Sequence, residues 1–246
     1  MFRLQLVYLL KVNLEMKKRI AFFGALLSLI SLGQLLLFKT GVILSTAGLM
    51  LAVSENAYAN NSSFFYKRGY EKAEKGDHYG AISDYTRAIE LNRNDGDAYF
   101  NRALSKSKLK DYYGAISDYT KVIELNSNDD MAYYNRGLIK QKLKDYYGAI
   151  SDATKAIEIN PKYDKAYANR GLAKHKLENY YGAISDYTRA IEINPSYGLA
   201  YSNRGITKGI GFNDDEGACN DFKKAASFGY EYRINWLETS EGKWCK

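Results

Sequence analysis

Two thiols, two imidazoles and several recurring Arg, Asp and Asn side chains hold most of the chemical capacity of this 246-residue chain. Cys219 and Cys245 are its only cysteines. Two thiols are too few for a disulfide framework or a four-thiolate zinc site. Two outcomes stay open for them: one bridge stapling the end of the chain, or a buried Cys219 beside an unrelated, exposed Cys245. His78, in a turn, and His175, on a helix, have no thiol or paired carboxylate in register with them. General-base and nucleophilic catalysis therefore lack a constellation of groups. Asn92–Asp97 has the polar look of a calcium loop, but aligning Gly96 with the loop glycine puts Leu91 where the first Asp must stand. No Gly-rich phosphate loop or nucleophile elbow occurs. The sequence predicts a non-enzyme with no metal and no cofactor.

What recurs is paired charge. Arg68, Arg102, Arg136, Arg170 and Arg204 each precede a Gly or Ala, and Asp84, Asp118, Asp152, Asp186 and Asp221 each precede an aromatic residue or Ala153. A ladder of Arg–Asp contacts between packed helices is expected, structural in role. The net charge of +7 says less. Within residues 1–59, Arg3, Lys11, Lys17, Lys18, Arg19 and Lys39 face only Glu15 and Glu55, so the leader holds the larger part of the excess. The remainder is a mixed-sign surface without the basic footprint of a nucleic-acid binder.

The leader has its own pattern. Lys17-Lys18-Arg19 precedes Ile20 to Phe38, a run of 19 residues without a charge, and Gly41 to Val53 adds 13 apolar or small residues after Lys39. Ala57-Tyr58-Ala59 then precedes Asn60. Basic, apolar and small-x-small segments in that order form a secretory layout. The apolar run exceeds an ordinary signal core and is long enough to cross a bilayer. Residues 1–59 thus predict an export signal cleaved near Ala59 or an anchor retained through residues 20–38, with membrane contact through residues 20–53. Met16 is a candidate start. The basic cluster stays cytoplasmic by the positive-inside rule, so either reading sends residues 60–246 outside the cytoplasm, to a periplasm or lumen.

From residue 62 the chain repeats every 34 residues. The string Gly80-Ala81-Ile82-Ser83-Asp84-Tyr85 returns from Gly114, Gly148 and Gly182, with Ala153 for Tyr in the third copy. Ala132-Tyr133-Tyr134-Asn135-Arg136-Gly137 is matched at Ala98–Ala103, Ala166–Gly171 and Ala200–Gly205. The units are 62–95, 96–129, 130–163 and 164–197, followed by a degenerate 198–229. Each reads as two helices: Ala183, Ile184, Tyr187, Ala190 and Ile191 make an apolar stripe at helical period, and Asn194-Pro195 ends it. One such pair cannot bury its own stripe, so neighbours must stack. Residues 230–246, with Tyr232, Trp236 and Leu237 among charged residues, fit a polar-faced C-terminal cap.

Period, pairing and residue choice resemble the tetratricopeptide repeat (TPR) family, whose signature positions are held in unit four by Tyr167, Gly171, Ala183, Tyr187, Ala190 and Pro195. The Asn-Arg-Gly and Gly-Ala-Ile-Ser-Asp-Tyr variants are similar to those of exported bacterial, notably cyanobacterial, members. The resemblance implies an all-α fold, a right-handed α-solenoid of helix-turn-helix repeats with a C-terminal capping helix. Most of the 23 Tyr then read as stacking residues multiplied by the repeat, in the first-helix aromatic, the Tyr-Tyr turn and the second-helix aromatic. A bridge between Cys219 and Cys245 would staple the last unit to the cap.

The family lines a concave groove with its first helices, which implies a site residue by residue. Asn101, Asn135, Asn169 and Asn203 form a row, flanked by Tyr66, Phe100, Tyr134, Ala168 and Ser202 and by Tyr70, Leu104, Leu138, Leu172 and Ile206. An amide row can bond an extended peptide backbone while aromatic and aliphatic neighbours supply affinity; alternatively, the row only bonds neighbouring helices. Co-chaperone members grip a C-terminal carboxylate through five polar residues. Here Asn135 and Lys165 match that clamp, whereas Phe100, Leu104 and Asn169 stand where Lys, Asn and Arg are needed, so acidic chaperone tails are not the expected ligand. The expected function is a non-catalytic interaction module binding a peptide or protein segment; the alternative is a membrane-tethered assembly factor for a membrane complex.

Overall fold

An acidic or amide side chain opens most helices of this protein. The computed structural model describes residues 62–238, Gly242 and Cys245; the export signal or anchor expected in residues 1–59 lies outside them. Asp77, Asp111, Asp145, Asn179 and Asp214 each accept the backbone N–H of the glycine three residues on, at 2.8–3.0 Å. Each satisfies one of the amides that a helix start leaves without a partner. They begin the second helix of every unit: α2 (His78–Leu91), α4 (Tyr112–Leu125), α6 (Tyr146–Ile159), α8 (Tyr180–Ile193) and α10 (Asp215–Ser227). His78 is therefore the first residue of α2 rather than part of a turn, because Asp77 is already the cap. The first helices are α1 (62–74), α3 (Gly96–Lys108), α5 (Asp130–Lys142), α7 (Asp164–Lys176) and α9 (Gly198–Phe212), followed by the short α11 (Glu231–Glu238).

Asparagine ends the second helices of units one to four, and Phe228 ends α10. Asn92, Asn126, Asn160 and Asn194 leave the helical region, and each side-chain oxygen accepts the N–H of the residue two positions on at 3.1–3.3 Å. This local turn explains why units one and two end where units three and four do, although only the latter carry proline. Between the two helices of each unit the chain turns through one left-handed residue: Gly76, Lys110, Lys144, Glu178 or Asn213. Left-handed backbone costs a side-chain-bearing residue roughly 1–2 kcal/mol, against roughly 0.5–1 kcal/mol of extra unfolded-state freedom for glycine. Lys144→Gly should therefore stabilise the protein by about 0.5–1 kcal/mol, read as a higher melting midpoint; an unchanged or lower midpoint would refute the strain.

The core is built from small first-helix residues under large second-helix ones. Tyr85, Tyr119 and Tyr187 are fully buried, as are Ala81, Ala115, Ala149 and Ala183 one turn earlier. Close approach is what glycine supplies here: a Cβ on Gly171 would lie 2.9 Å from the Tyr187 ring. In unit three Ala153 removes that ring, and the nearest atom to a Cβ on Gly137 is the Asp152 Cβ at 3.3 Å. Among the described residues, the buried apolar clusters and the side chains packed on them run from residue 65 to 245, within a compact unit that spans 58–246.

The Arg–Asp ladder runs through all five units, and it is wider than the sequence reading. Arg136 donates to Asp152 through Nε (2.9 Å) and Nη2 (2.7 Å), and the same two-pronged pairing joins Arg68–Asp84, Arg102–Asp118, Arg170–Asp186 and Arg204–Asp221. A Lys one turn after each Arg (Lys72, Lys106, Lys140, Lys174, Lys208) joins the same carboxylate at 2.7–2.9 Å. From unit two onward the third guanidinium nitrogen donates to Thr86, Thr120, Thr154 or Thr188 of the preceding unit at 3.0–3.2 Å. Each Arg thus bonds within its unit and across the joint to the previous one. Arg102, Arg136, Arg170 and Arg204 also lie 5.4–5.5 Å over the first-helix rings of Tyr99, Tyr133, Tyr167 and Tyr201.

At the C-terminal end α11 lies on α10 as a cap. Phe222 and Trp236 meet edge to face at 5.0 Å. The buried Arg233 sits over the Phe222 ring at 3.8 Å and donates from Nε to the Ser202 hydroxyl at 2.8 Å. In this structure Cys219 and Cys245 form a disulfide with Cα atoms 5.3 Å apart, tying the segment after α11 back to α10.

Candidate functional site

The first helices of successive units touch directly, α5 with α7 and α7 with α9. Crowding on that side makes it the inner face of the array there, and the sequence-predicted site residues are all carried by first helices. Tyr70 is 48% exposed and Leu104 37%; Leu138, Leu172 and Ile206 continue their row half-buried, and Lys165 is exposed. Tyr66 packs on Tyr85 at 5.9 Å between ring centroids, and Phe100 on Tyr119 at 5.3 Å. Tyr134 has no such partner, since its unit carries Ala153, and it packs instead on Tyr163 at 4.9 Å. Burial pushes the Tyr66 and Tyr134 hydroxyls above the usual phenol range, with Asp97 and Asp95 adding to the effect at Tyr66 and Asp164 at Tyr134. Both stay neutral donors at physiological pH.

The Asn row divides. Asn101 donates to the Tyr66 hydroxyl at 3.1 Å and to the Asp97 carbonyl at 3.0 Å, and Asn135 donates to the Met131 carbonyl at 2.8 Å. Both residues are half-buried. Asn203 is half-buried as well. Asn169 departs from the expected row: it is 5% exposed, with neither amide atom meeting a protein partner. Its nitrogen lies 3.5 Å from where a Gly137 Cβ would stand, so the amide has turned into the volume that the missing Tyr at position 153 leaves. A polar group buried without a partner costs about 1–3 kcal/mol. Asn169→Leu, of similar size, should raise stability by about 1 kcal/mol in a denaturant titration; a loss would mean that the amide is satisfied.

The ring of His175 lies 2.9 Å from the Thr207 hydroxyl and stacks edge-on against Tyr180, and burial lowers its pKa from the ordinary histidine value, Lys176 adding to the effect. Its place is in the joint between units four and five. Sequence reasoning missed the Lys and Thr members of the ladder, although both recur at the 34-residue period and the Lys sits one helical turn after each Arg. It also misplaced four tyrosines. The second residue of each Tyr-Tyr or His-Tyr pair, expected to stack, points to solvent: Tyr79, Tyr113, Tyr147 and Tyr181 are 76–80% exposed. Each is the second residue of its helix, past the capping Asp or Asn, where the side chain clears the preceding turn.

Family models described as tetratricopeptide repeat match residues 62–95, 96–129, 131–163 and 164–197. The chain belongs to the tetratricopeptide repeat family. Among solved structures it is similar to a MamA protein, at 25% identity over 73% of this chain and 97% of that one, with a TM-score of 0.63. A MamA fragment from Desulfovibrio magneticus RS-1 matches at 20% identity, 70% and 96% coverage and a TM-score of 0.64. YrrB, described as a TPR protein with an unusual peptide-binding site, matches at 19% identity, 77% and 97% coverage and a TM-score of 0.61. These likenesses carry the fold. No curated protein matches the chain's sequence. As a TPR array the protein is a protein-interaction module.

Proposed function

We propose that this TPR protein works outside the cytoplasm as a non-catalytic module that holds an extended peptide or protein segment along its first helices. The observation that carries the reading is the inner face itself. Tyr70 and Leu104 stand exposed there, and the Leu138 and Asn135 side chains continue the surface into unit three. Apolar positions interleaved with amide groups suit an extended backbone with alternating side chains. The binding row covers units one to three; Asn169 is withdrawn from it, and Ala168 and Ser202 are buried. Export is supported by the basic-apolar-small leader and by a disulfide at the cap, which an oxidising compartment preserves.

Affinity capture from an envelope extract of the native host tests the groove. Tyr70→Ser, Leu104→Ser and Asn135→Ala combined should remove the partners that the unaltered protein retains. Equal capture by both proteins would end the groove reading. A second reading, a tethered assembly factor, draws on the uncharged run Ile20–Phe38. It requires the mature protein to stay in the membrane fraction after a carbonate wash, whereas a soluble form beginning at Asn60 excludes it.

A further inference from the structure

We infer that the joint between units three and four holds a closed pocket for one aromatic side chain, Phe or Tyr, of the bound segment. The inference rests on the inner-groove reading and names what that groove selects. Four units place a ring of their own at one position of the second helix: Tyr85, Tyr119, Tyr187 and Phe222, all buried. Unit three places Ala153 there. The buried apolar residues of its α6 are Ala149, Ala153 and Ala156, three methyl groups. The glycine that gives the ring room has nevertheless been kept. A Cβ on Gly69, Gly171 or Gly205 would stand 2.6–3.0 Å from the ring of its own unit. At Gly137 no ring is among the nearest atoms, and the Asn169 amide nitrogen of unit four stands at 3.5 Å.

Repetition can copy a glycine, but it does not account for that amide. Asn101 and Asn135, in the same row, are half-buried and hydrogen-bonded. Asn169 is buried with both amide atoms unpartnered, an unfavourable state for a polar group. It is a weak plug. A segment that lets it turn back toward its row restores its hydrogen bonds and vacates the space beside Gly137, so binding favours the open form.

The neighbouring rings show what fits. Tyr66 lies on Tyr85 and Phe100 on Tyr119, whereas Tyr134 has no ring of its own unit to meet and packs on Tyr163 instead. An incoming ring would restore the missing pair, with Tyr134 placed to meet it. The occupant is aromatic because this position holds a ring in every other unit. Its hydroxyl is optional, since the Tyr85 and Tyr187 hydroxyls meet no protein partner and unit five uses Phe222.

Peptides selected from a random library against the full chain in detergent provide the test, each compared with a copy whose aromatic residue is replaced by Ala. The unaltered protein should bind the aromatic peptide at least about tenfold more tightly than its Ala copy, as burial of one ring would give. Ala153→Tyr, which fills the space from within, should bring that ratio close to one. Asn169→Leu, which plugs it with an apolar side chain, should do the same and carries the test should Ala153→Tyr fail to fold. The Tyr70→Ser, Leu104→Ser, Asn135→Ala variant should weaken both peptides together and leave the ratio standing, which separates the pocket from the groove. Selected peptides without a common Phe or Tyr, or a ratio that survives in both Ala153→Tyr and Asn169→Leu, overturn the inference and leave the groove reading intact. A triple variant that binds both peptides undiminished ends the groove reading, and this inference with it.

Discussion

Tyr187→Ala should cost the protein about 3–4 kcal/mol, lowering its melting midpoint by roughly 10 °C. The Tyr187 ring is fully buried in α8, with Gly171 beneath it and Ala183, Ala190 and Ala200 in the same cluster. Truncation removes the transfer energy of the ring and leaves a cavity among helices that cannot close freely. Unit three shows how partial the relief would be. Where Ala153 already stands, Asn169 of the next unit has turned inward, giving up its hydrogen bonds to fill space. Asn203 is the residue placed to respond in the same way at Tyr187→Ala, which sets the estimate below the upper end for aromatic truncations. Tyr187→Phe is the matched control. Its hydroxyl meets no protein partner, and Phe222 occupies the same position in unit five, so this change should leave the midpoint level or higher. Equal losses from Ala and Phe would place the energy in the hydroxyl and contradict the packing account.

Arg136→Ala is the second large loss, about 2–4 kcal/mol by thermal or denaturant melting. The Asp152 carboxylate is 3% exposed and takes two hydrogen bonds from Arg136 and one contact from Lys140. Removing one partner of a buried pair leaves charge that water cannot reach, and that residual penalty is most of the cost. Lys140 keeps the site from losing all compensation, which holds the estimate below that for an isolated pair. Arg136→Lys should fall between, because an ammonium cannot span both carboxylate oxygens and the Thr120 hydroxyl of the preceding unit. The loss should also appear at the joint between units two and three, as faster amide exchange in α4 and α5 than in α8 and α9, since stability in a solenoid is shared between neighbours. An unchanged midpoint for Arg136→Ala would show the ladder to be idle.

The fold was legible because its information is repeated. A 34-residue period, an apolar stripe at helical spacing and Asn at the end of each second helix all point to stacked pairs, and the first four units restate them. The Arg–Asp pairing was legible for the same reason. What escaped depended on volume or direction. Asn169 belongs to the same sequence row as Asn101, Asn135 and Asn203, and only the space left by Ala153, in a different unit, turns it inward. Tyr112 and Tyr113 are adjacent and chemically identical, yet one is half-buried and the other is 78% exposed, a division that follows from their angular positions around α4. The Thr members of the ladder look like solvent-facing helix residues until the next unit is stacked against them.

The central claim is that units one to three bind an extended segment along their first helices. Its most direct measurement is the dissociation constant of a peptide, selected from a random library against residues 60–246, for the unaltered solenoid and for the Tyr70→Ser, Leu104→Ser, Asn135→Ala variant. Affinity should fall at least about tenfold, a loss of about 1.4 kcal/mol or more, while Glu90→Ser on the exposed face of α2 leaves it unchanged. A selected peptide that binds the groove variant as tightly as the unaltered protein, and is weakened by Glu90→Ser, would contradict the account.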